Sequence, residues 1–249
     1  MLRAEQILCR RDETIIAALS DYVKKQFQRH YGVPQERLAV IPNGVRIHNP
    51  TEKKAADQLR ARALRELGLR EAHQPVLFLF AANNFRLKGL GPLLQALALV
   101  RQSTPRPVCI LVAGSGIIQP YLRQATKLGL GDRIAFLGKI HPIQHALAVA
   151  DAAVLPTWYD PSSRFILEAL AAGKPVITTR FNGAAEMYTD GRHGITLEHP
   201  DDIERLAEAL AFYSDTENVE LAREAILADR LIEEVSIARH AQQLVDLYE

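Results

Sequence analysis

Residues 75–103, PVLFLFAANNFRLKGLGPLLQALALVRQS, combine a continuous apolar run, a polar loop and a second apolar segment. Residues 76–82 carry no polar side chain, as expected for a strand buried on both faces of a sheet. The apolar residues of 91–103 recur with the period of an α-helix. A buried strand followed directly by a helix is typical of α/β proteins with a parallel sheet.

The same alternation continues along the chain. Further strands are predicted at 107–114, 133–138, 152–156 and 175–179, and further helices at 121–129, 143–150 and 163–172. Residues 201–249 lack a strand pattern and are expected to be helical. We therefore predict an α/β fold: a Rossmann-like parallel sheet with helices on both faces, plus C-terminal helices. Ligands of such sheets bind at the loops that follow the carboxyl ends of the strands.

The first 50 residues do not fit into that single sheet. Strands are predicted at 13–20 and 37–45, with a helix at 21–32 between them and a polar connector at 46–57. Two strands and one helix cannot cover both faces of a sheet, so we expect them to be the end of a second domain. The strand at 14–19 would then present unpaired edges, which predicts self-association through residues 13–45.

Composition excludes several classes of protein. The chain has 249 residues, 48% of them hydrophobic, with 30 basic and 29 acidic side chains. That balance gives no reason to expect a nucleic-acid partner. Only Cys9 and Cys109 are present, so neither a disulfide framework nor a cysteine metal cluster is expected. The charged N-terminus and the shortness of the apolar run at 75–82 favour a cytoplasmic protein.

The loop NNFRLKG at 83–89 follows a predicted strand and offers Arg86 and Lys88 beside Gly89. Two cations at the ligand-binding edge of a sheet suit an anionic oxygen such as a phosphate. A solvated loop with two unremarkable charges is the alternative, and position alone does not separate the two interpretations.

The segment WYDPSSRFILEALAAGKPV at 158–176 sets two acids on the same edge. Asp160 lies in a loop, and Ser162 or Ser163 is expected to cap the following helix, whose free amides would bind an anion. Glu168 lies one to two turns inside that helix, where a carboxylate can accept hydrogen bonds from two neighbouring hydroxyls. The arrangement suits a diphosphate between two sugars. The alternative is local pairing of Glu168 and a simple Asp160-Pro161 turn.

A dinucleotide site is the other ligand class considered. AGSG at 113–116 stands between a strand and a helix, but Gln119 occupies the position of the third glycine of a dinucleotide fingerprint. A Rossmann oxidoreductase that binds NAD is therefore the more distant alternative.

The chain resembles family 4 (group 1) glycosyltransferases of the GT-B fold. The segment YDPSSRFILEALAAGKPVITTRFNGAAEMYTDGRHG at 159–194 is similar to that family's signature of an acid, Pro, a polar pair, Glu-Ala-x-Ala-x-Gly-x-Pro-Val and Gly-x-x-Glu. The segment at 15–45 resembles the one before the family's interdomain crossover. KGLGPLLQAL, LVAGSG and IAFLGKI follow in the family order.

The resemblance implies a nucleotide-sugar donor site without a metal. It implies that Glu168 binds the ribose hydroxyls and Asp160 the hydroxyls of the transferred sugar. Lys88, with Arg86 replacing the arginine usual at the position of Asn83, would stabilise the leaving diphosphate. The remaining predicted contacts with the donor are Asn83, Gly89, Gly114, Lys139, Ile140, Ser163, Arg164 and Phe165. Among these, Lys139 and Ile140 would lie against the base, and the backbone at 163–165 would offer amides to the diphosphate.

The resemblance also implies a division of the chain. Residues 1–45 would be the remnant of an acceptor domain, 46–58 a linker, 59–230 the donor domain, and 231–249 a helix returning toward the N-terminal domain. The whole enzyme would be a retaining transferase acting from a UDP-, GDP- or ADP-sugar on a saccharide or lipid-linked hydroxyl. Envelope or exopolysaccharide synthesis and attachment to the inner face of the membrane are the implied setting. The chain alone would be inactive, and a non-catalytic nucleotide-sugar binding module acting with a separate acceptor subunit is the alternative.

Overall fold

The computed structural model describes residues 7, 9, 14–47, 53–101 and 103–249 of the chain. The strands are β1 (Ile16–Ala18), β2 (Leu38–Val40), β3 (Val76–Ala81), β4 (Val108–Ala113), β5 (Ile134–Gly138), β6 (Ala152–Leu155), β7 (Val176–Thr179) and β8 (Gly194–Leu197). Six of these strands form one parallel sheet in the order β5-β4-β3-β6-β7-β8. The predicted α/β class with a Rossmann-like parallel sheet is confirmed.

The strand order reverses in the middle of this sheet. The chain runs outward from β3 through β4 to β5, then crosses to the other side of β3 and runs outward again through β6, β7 and β8. The loops that follow β3 and β6 therefore leave the same edge in opposite directions and open a crevice between them. Ligands of open α/β sheets bind at such a switch point.

The helices cover both faces of the sheet. They are α1 (Asp21–Tyr31), α2 (Lys53–Glu66), α3 (Leu90–Val100), α4 (Gln119–Lys127), α5 (Gln144–Val149), α6 (Arg164–Ala171), α7 (Ile203–Phe212), α8 (Thr216–Ala228), α9 (Leu231–Glu234) and α10 (Ile237–Tyr248). Helix α2 packs against α5, and α3 packs against α4 and α7. None of the helices in the described part of the chain has both the length and the apolar character that crossing a bilayer requires.

The core lies between the sheet and these helices. The side chains of β3 from Val76 to Phe80 are buried, as are all six residues of β4. On the helical side, Leu93, Leu94 and Leu97 of α3 are fully buried. This two-sided burial explains why the inner strands are continuous apolar runs rather than alternating patterns.

Strand β8 was not predicted. Only Gly194 and Leu197 of its four residues are buried, and Ile195 and Thr196 are half-buried. An edge strand covered by fewer neighbours does not need the apolar run by which the inner strands were recognised.

The N-terminal segment forms a separate small unit. Strands β1 and β2 pair in parallel, with Ile16 opposite Leu38, and α1 connects them. Cys9, Val33 and Leu38 form a small apolar cluster of their own. The two strands and the helix predicted here are confirmed, although both strands are shorter than expected.

The linker predicted at 46–58 ends in a helix. Helix α2 begins at Lys53, so residues 53–58 are helical, and residues 48–52 lie outside the described part of the chain. The sequence of this helix is mostly polar, but Leu59, Ala63 and Leu64 form an apolar stripe that is buried.

The last nineteen or so residues form two helices, α9 and α10, rather than one. Between them, Val235 O accepts a hydrogen bond from Val45 N at 2.9 Å, and Ile237 N donates to Val45 O at 2.8 Å. His240 Nδ1 lies 2.7 Å from Pro42 O. Helix α10 thus packs onto the segment that leaves β2.

Candidate functional site

The loops after β3 and β6 meet through an ion pair. Lys88 Nζ lies 2.7 Å from Asp160 Oδ2 and donates a second hydrogen bond to Tyr159 O at 2.9 Å. The Lys88 and Asp160 side chains are only 19% and 15% exposed. Two residues predicted separately as phosphate and sugar contacts are thus in direct contact, at the switch point of the sheet.

The backbone fixes the approach of these two loops. Leu87 O accepts hydrogen bonds from Trp158 N at 3.0 Å and from Thr157 Oγ1 at 3.2 Å. Gly89 has φ of +81°, and a Cβ at this position would lie 1.9 Å from Pro156 O. Since no side chain fits there, glycine is required for the loop that carries Lys88 to lie against the loop that carries Asp160.

The start of α6 lies beside Asp160. Asp160 Oδ1 accepts a hydrogen bond from Ser162 N at 3.2 Å. Ser163 occupies the N-cap position but its side chain makes no capping hydrogen bond, contrary to the expected serine cap. Instead, Ser163 N donates to Asn182 Oδ1 at 3.0 Å, so a side chain from the loop after β7 fixes this helix start.

Helix α6 presents its first amides to the same edge. The amides of Arg164 and Phe165 lie in its first turn, where no intrahelical acceptor exists. Glu168 follows one turn later and is half-buried. Asp160, the first amides of α6 and Glu168 thus follow one another along a single loop and helix. The assignment of these groups to a sugar, a diphosphate and a ribose stays a prediction.

A cavity of about 380 Å³ opens beside these groups, above β3, β4 and β5. Four of the predicted donor contacts line it: Asn83, Gly114, Lys139 and Ile140. Gly114 has φ of +130°, and a Cβ there would lie 1.7 Å from Ala82 O, so the floor of the cavity consists of closely packed backbone. Its lining includes apolar side chains, among them Ala82, Ile140 and Ile143, against which an aromatic base can pack.

Arg86 lies elsewhere. The side chain is exposed and lines a different cavity of about 670 Å³ together with Tyr121 and Trp158. Burial raises the pKa of Tyr121, and the nearby Arg86 charge opposes that rise. Arg86 thus lines this cavity, whereas Lys88 contacts Asp160, and the joint action of the two cations on one diphosphate stays a prediction.

A model of the family "Glycosyl transferases group 1" matches residues 74–215 of the chain. These residues contain the whole crevice, from the loop after β3 to the loop after β7, and make up more than half of the 249 residues. The chain belongs to this family of glycosyltransferases.

Individual glycosyltransferases support the assignment. Lipopolysaccharide glucosyltransferase WaaG of Escherichia coli is 28% identical over 79% of this chain and 52% of its own length. A GDP-mannose-dependent phosphatidylinositol monomannoside mannosyltransferase of Mycolicibacterium smegmatis is 29% identical over 76% of this chain and 50% of its own. The chain thus spans about half the length of these curated relatives.

Solved structures confirm the GT-B fold. HepE of Anabaena in complex with UDP and glucose superposes with a TM-score of 0.82 and 25% identity over 99% of this chain and 66% of HepE. The crystal structure of WaaG superposes with a TM-score of 0.70 and 24% identity over 91% of this chain and 59% of WaaG.

Glu186 of this glycosyltransferase chain has a contact that sequence reasoning missed. Its Oε2 accepts a hydrogen bond from Asp21 N, and its Oε1 one from Tyr22 N, both at 2.7 Å. It is the glutamate of the Gly-x-x-Glu motif, and it binds the start of α1. A carboxylate at a helix N-terminus is stabilised by the helix dipole.

Ser20 adds a second connection at the same place. Its Oγ donates to Pro161 O at 2.8 Å, and a Cβ on Gly183 would lie 2.2 Å from that Oγ. Asn43 Nδ2 donates to Ser162 O at 3.1 Å. The N-terminal unit therefore contacts the short loop between Asp160 and α6. No periodic pattern could have indicated this, because the partners are more than 110 residues apart.

Within the described part of the chain, no cluster of three or more His, Cys, Asp or Glu side chains could hold a metal ion.

Proposed function

We propose that this chain is the donor-binding part of a glycosyltransferase that moves a sugar from a nucleoside diphosphate to a hydroxyl acceptor. The observation that carries the proposal is the meeting of Lys88, Asp160 and the start of α6 at the switch point of the sheet. The Asp160 carboxylate would bind the sugar of such a donor, and the Lys88 ammonium and the helix amides would bind its diphosphate.

Each group has a task in this proposal. Glu168 accepts hydrogen bonds from the two ribose hydroxyls, and the amides at 164–165 bind the diphosphate. The cavity lined by Asn83, Gly114, Lys139 and Ile140 holds the base. Asp160 binds hydroxyls of the transferred sugar. This requires Lys88 to turn from Asp160 toward the diphosphate when the donor binds.

The reaction breaks the bond between the anomeric carbon and the diphosphate oxygen and forms one from that carbon to the acceptor oxygen. The acceptor proton passes to the departing diphosphate, and the family resemblance favours retention of configuration. The Lys88 ammonium and the helix amides stabilise the negative charge that develops on the leaving group, without a metal ion. Preorganised charges in such a site contribute several kcal/mol to catalysis.

The rest of the enzyme is proposed from the lengths of the relatives. The unit formed by β1, α1 and β2 would belong to a second domain that binds the acceptor, and α10 would return to it. Residues 59–230 would form most of the donor domain. Transfer then requires both domains, so the described donor site alone would bind the nucleotide sugar without completing the reaction.

The names of the relatives suggest a biological setting. WaaG acts in lipopolysaccharide biosynthesis, and this makes an envelope saccharide a plausible acceptor class. Because HepE binds UDP and the mannosyltransferase depends on GDP-mannose, both bases belong in the test.

A thermal-shift and calorimetry panel of UDP, GDP, ADP and TDP, each free and as the nucleotide sugar, tests the proposal. We expect one nucleoside diphosphate to stabilise the chain, by about 2.7 kcal/mol at a hundredfold excess over its dissociation constant. If none of the four raises the melting temperature of the folded protein, the proposal fails. Binding that is never accompanied by transfer, in the full-length protein supplied with acceptor, would instead indicate a non-catalytic binding module.

A further inference from the structure

The cavity that contains Arg86 is separate from the predicted donor contacts. It lies above the starts of α3 and α4 and is lined by Asn84, Arg86, Leu87, Gly91, Pro92, Tyr121 and Trp158. The cavity proposed for the base shares none of these lining residues. Lys88, between the two, turns its side chain toward Asp160.

Two aromatic rings form part of this cavity. Trp158 has 40% of its surface exposed, a large fraction for a residue type that is highly buried on average. Its ring stands edge-on to His199 at 5.4 Å, which holds it in place. Tyr121 is held in the same way by Phe85, with the ring centroids 5.8 Å apart. Both rings thus pack edge-on against another ring of the chain.

The polar groups between the rings are planar. Arg86 offers a guanidinium, and Asn84 offers a side-chain amide whose Oδ1 already accepts from Leu87 N at 3.1 Å. With Oδ1 engaged in this hydrogen bond, the two hydrogens on Asn84 Nδ2 remain to donate to a ligand. Among the described residues that line the cavity there is no carboxylate.

We propose that this cavity binds a short saccharide. A sugar ring has an apolar face of C–H groups that packs on an aromatic ring, and hydroxyls at its edge that pair with guanidinium and amide groups. Aromatic walls together with a few polar groups are the lining this ligand needs. The volume of about 670 Å³ accommodates two or three sugar rings.

The position next to the reacting groups suggests what the saccharide is. Leu87 and Trp158 line the cavity, and their neighbours in sequence, Lys88 and Tyr159, contact each other through Lys88 Nζ and Tyr159 O. A saccharide in the cavity would therefore end beside the predicted sugar of the donor. The bound chain would be part of the acceptor or the product, an assignment that rests on the proposed function, whereas the binding itself does not.

Trp158 is the single tryptophan of the chain, so the tryptophan fluorescence reports on the surroundings of this one side chain, and the variants below assign the signal to the cavity. The test titrates maltotriose, cellotriose and trigalacturonate and measures protection of Trp158 from quenching by acrylamide. The first two are neutral, and the third carries three carboxylates, any of which can pair with Arg86. We expect saturable protection by at least one of the three. The proposal is overturned if none protects Trp158 at millimolar concentrations.

Two variants locate the binding. Tyr121→Leu keeps a half-buried apolar side chain but removes the aromatic face, and Pro92→Glu puts a carboxylate into the cavity at a helix start that tolerates an acid. Each should weaken the apparent affinity by about tenfold, an effect on the scale of a lost aromatic contact. Tyr248→Leu makes the same change on the exposed end of α10 and is the matched control. Unchanged affinity in both cavity variants would also overturn the proposal.

Calorimetry with UDP separates this inference from the proposed function. Tyr121→Leu and Pro92→Glu should bind UDP as the wild type does, because neither residue belongs to the donor site. If wild type binds no nucleotide but a trisaccharide still protects Trp158, the proposed function fails and the saccharide site stands.

Discussion

The Lys88 ammonium lies 2.7 Å from the Asp160 carboxylate, across the switch point of the sheet and 72 residues away in sequence. Both groups have donor-binding roles in the proposed function, yet in this structure each neutralises the other. In the proposed function the Lys88 ammonium gives up its contact with Asp160 and pairs with the diphosphate of the donor. Breaking the contact with Asp160 lowers the affinity for the donor.

Asp160→Asn should increase the affinity for free UDP by about threefold, since the ammonium is then released for the diphosphate and a nearby negative charge is gone. The affinity for the UDP-sugar should not increase with it, because the amide is a weaker acceptor for sugar hydroxyls. Calorimetry with both ligands measures the difference. Asp57→Asn, an exposed aspartate on α2, is the control. Weaker binding of free UDP by Asp160→Asn would contradict the exchange.

Lys88→Ala should weaken binding of the nucleoside diphosphate by about ten- to a hundredfold, the cost of one lost charge-assisted hydrogen bond. Lys127→Ala, at the far end of α4, makes the same change on an exposed surface and should have no effect. Wild-type affinity in Lys88→Ala, measured by calorimetry, would remove this residue from the site.

Glu168→Gln should abolish the discrimination between UDP and 2′-deoxy-UDP. The wild type should prefer UDP by about tenfold or more, because a carboxylate that binds both ribose hydroxyls loses one partner in the deoxy compound. The comparison of two ligands on one variant cancels any general loss of stability. Glu224→Gln, exposed on α8, is the control and should keep the preference. A wild type that binds both nucleotides equally would refute the ribose contact.

Glu186→Gln should destabilise the protein by about 1–2 kcal/mol, since one of the two amides at the start of α1 then has no acceptor and the other has only a neutral one. Urea unfolding measures the loss. Hydrogen exchange at the amides of Asp21 and Tyr22 should increase in the same variant. Unchanged protection of both amides would show that the carboxylate does not hold the helix start.

Asp229 predicts a dependence of stability on pH. The hydrogen bond from Arg192, and then that from His193, lowers the pKa of Asp229 from its usual 3.8 to about 2. A carboxyl whose pKa is lower in the folded state contributes stability above its unfolded pKa and loses it as the pH falls toward the folded value. Asp229→Asn should therefore melt below the wild type at neutral pH, and the gap should close between pH 3.8 and about 2. A gap that is constant over that range, measured by scanning calorimetry, would contradict the linkage.

The fold was predictable because its inner strands are buried on both faces. The run at 76–82 and the strand at 107–114 carry that burial in their composition, and the structure places β3 and β4 there. The edge strand β8 could not be predicted from an apolar run, because half of its residues are only half-buried. The start of α2 was not predicted, because the few apolar residues of this helix stand among charged ones in the sequence.

The site was predictable only where one stretch of chain carries it. Asp160, the helix start and Glu168 belong to one loop and helix, and spacing alone suggested their arrangement. The pairing of Lys88 with Asp160 and the contact of Glu186 with the start of α1 depend on how distant loops meet. No local period or spacing encodes those distances, because crossover connections set them.

Gly89 has a consequence for any mutational survey of this protein. A methyl group at position 89 would collide with Pro156 O, so every substitution there must push apart the loops that carry Lys88 and Asp160. Such variants would lose activity as completely as a change to a reacting group, although residue 89 has no side chain with which to touch the sugar or the diphosphate. A screen that measures only activity would rank Gly89 with the residues that contact the substrate. A screen that also measures folding and binding would show that its role is to leave room for the two loops to pack together.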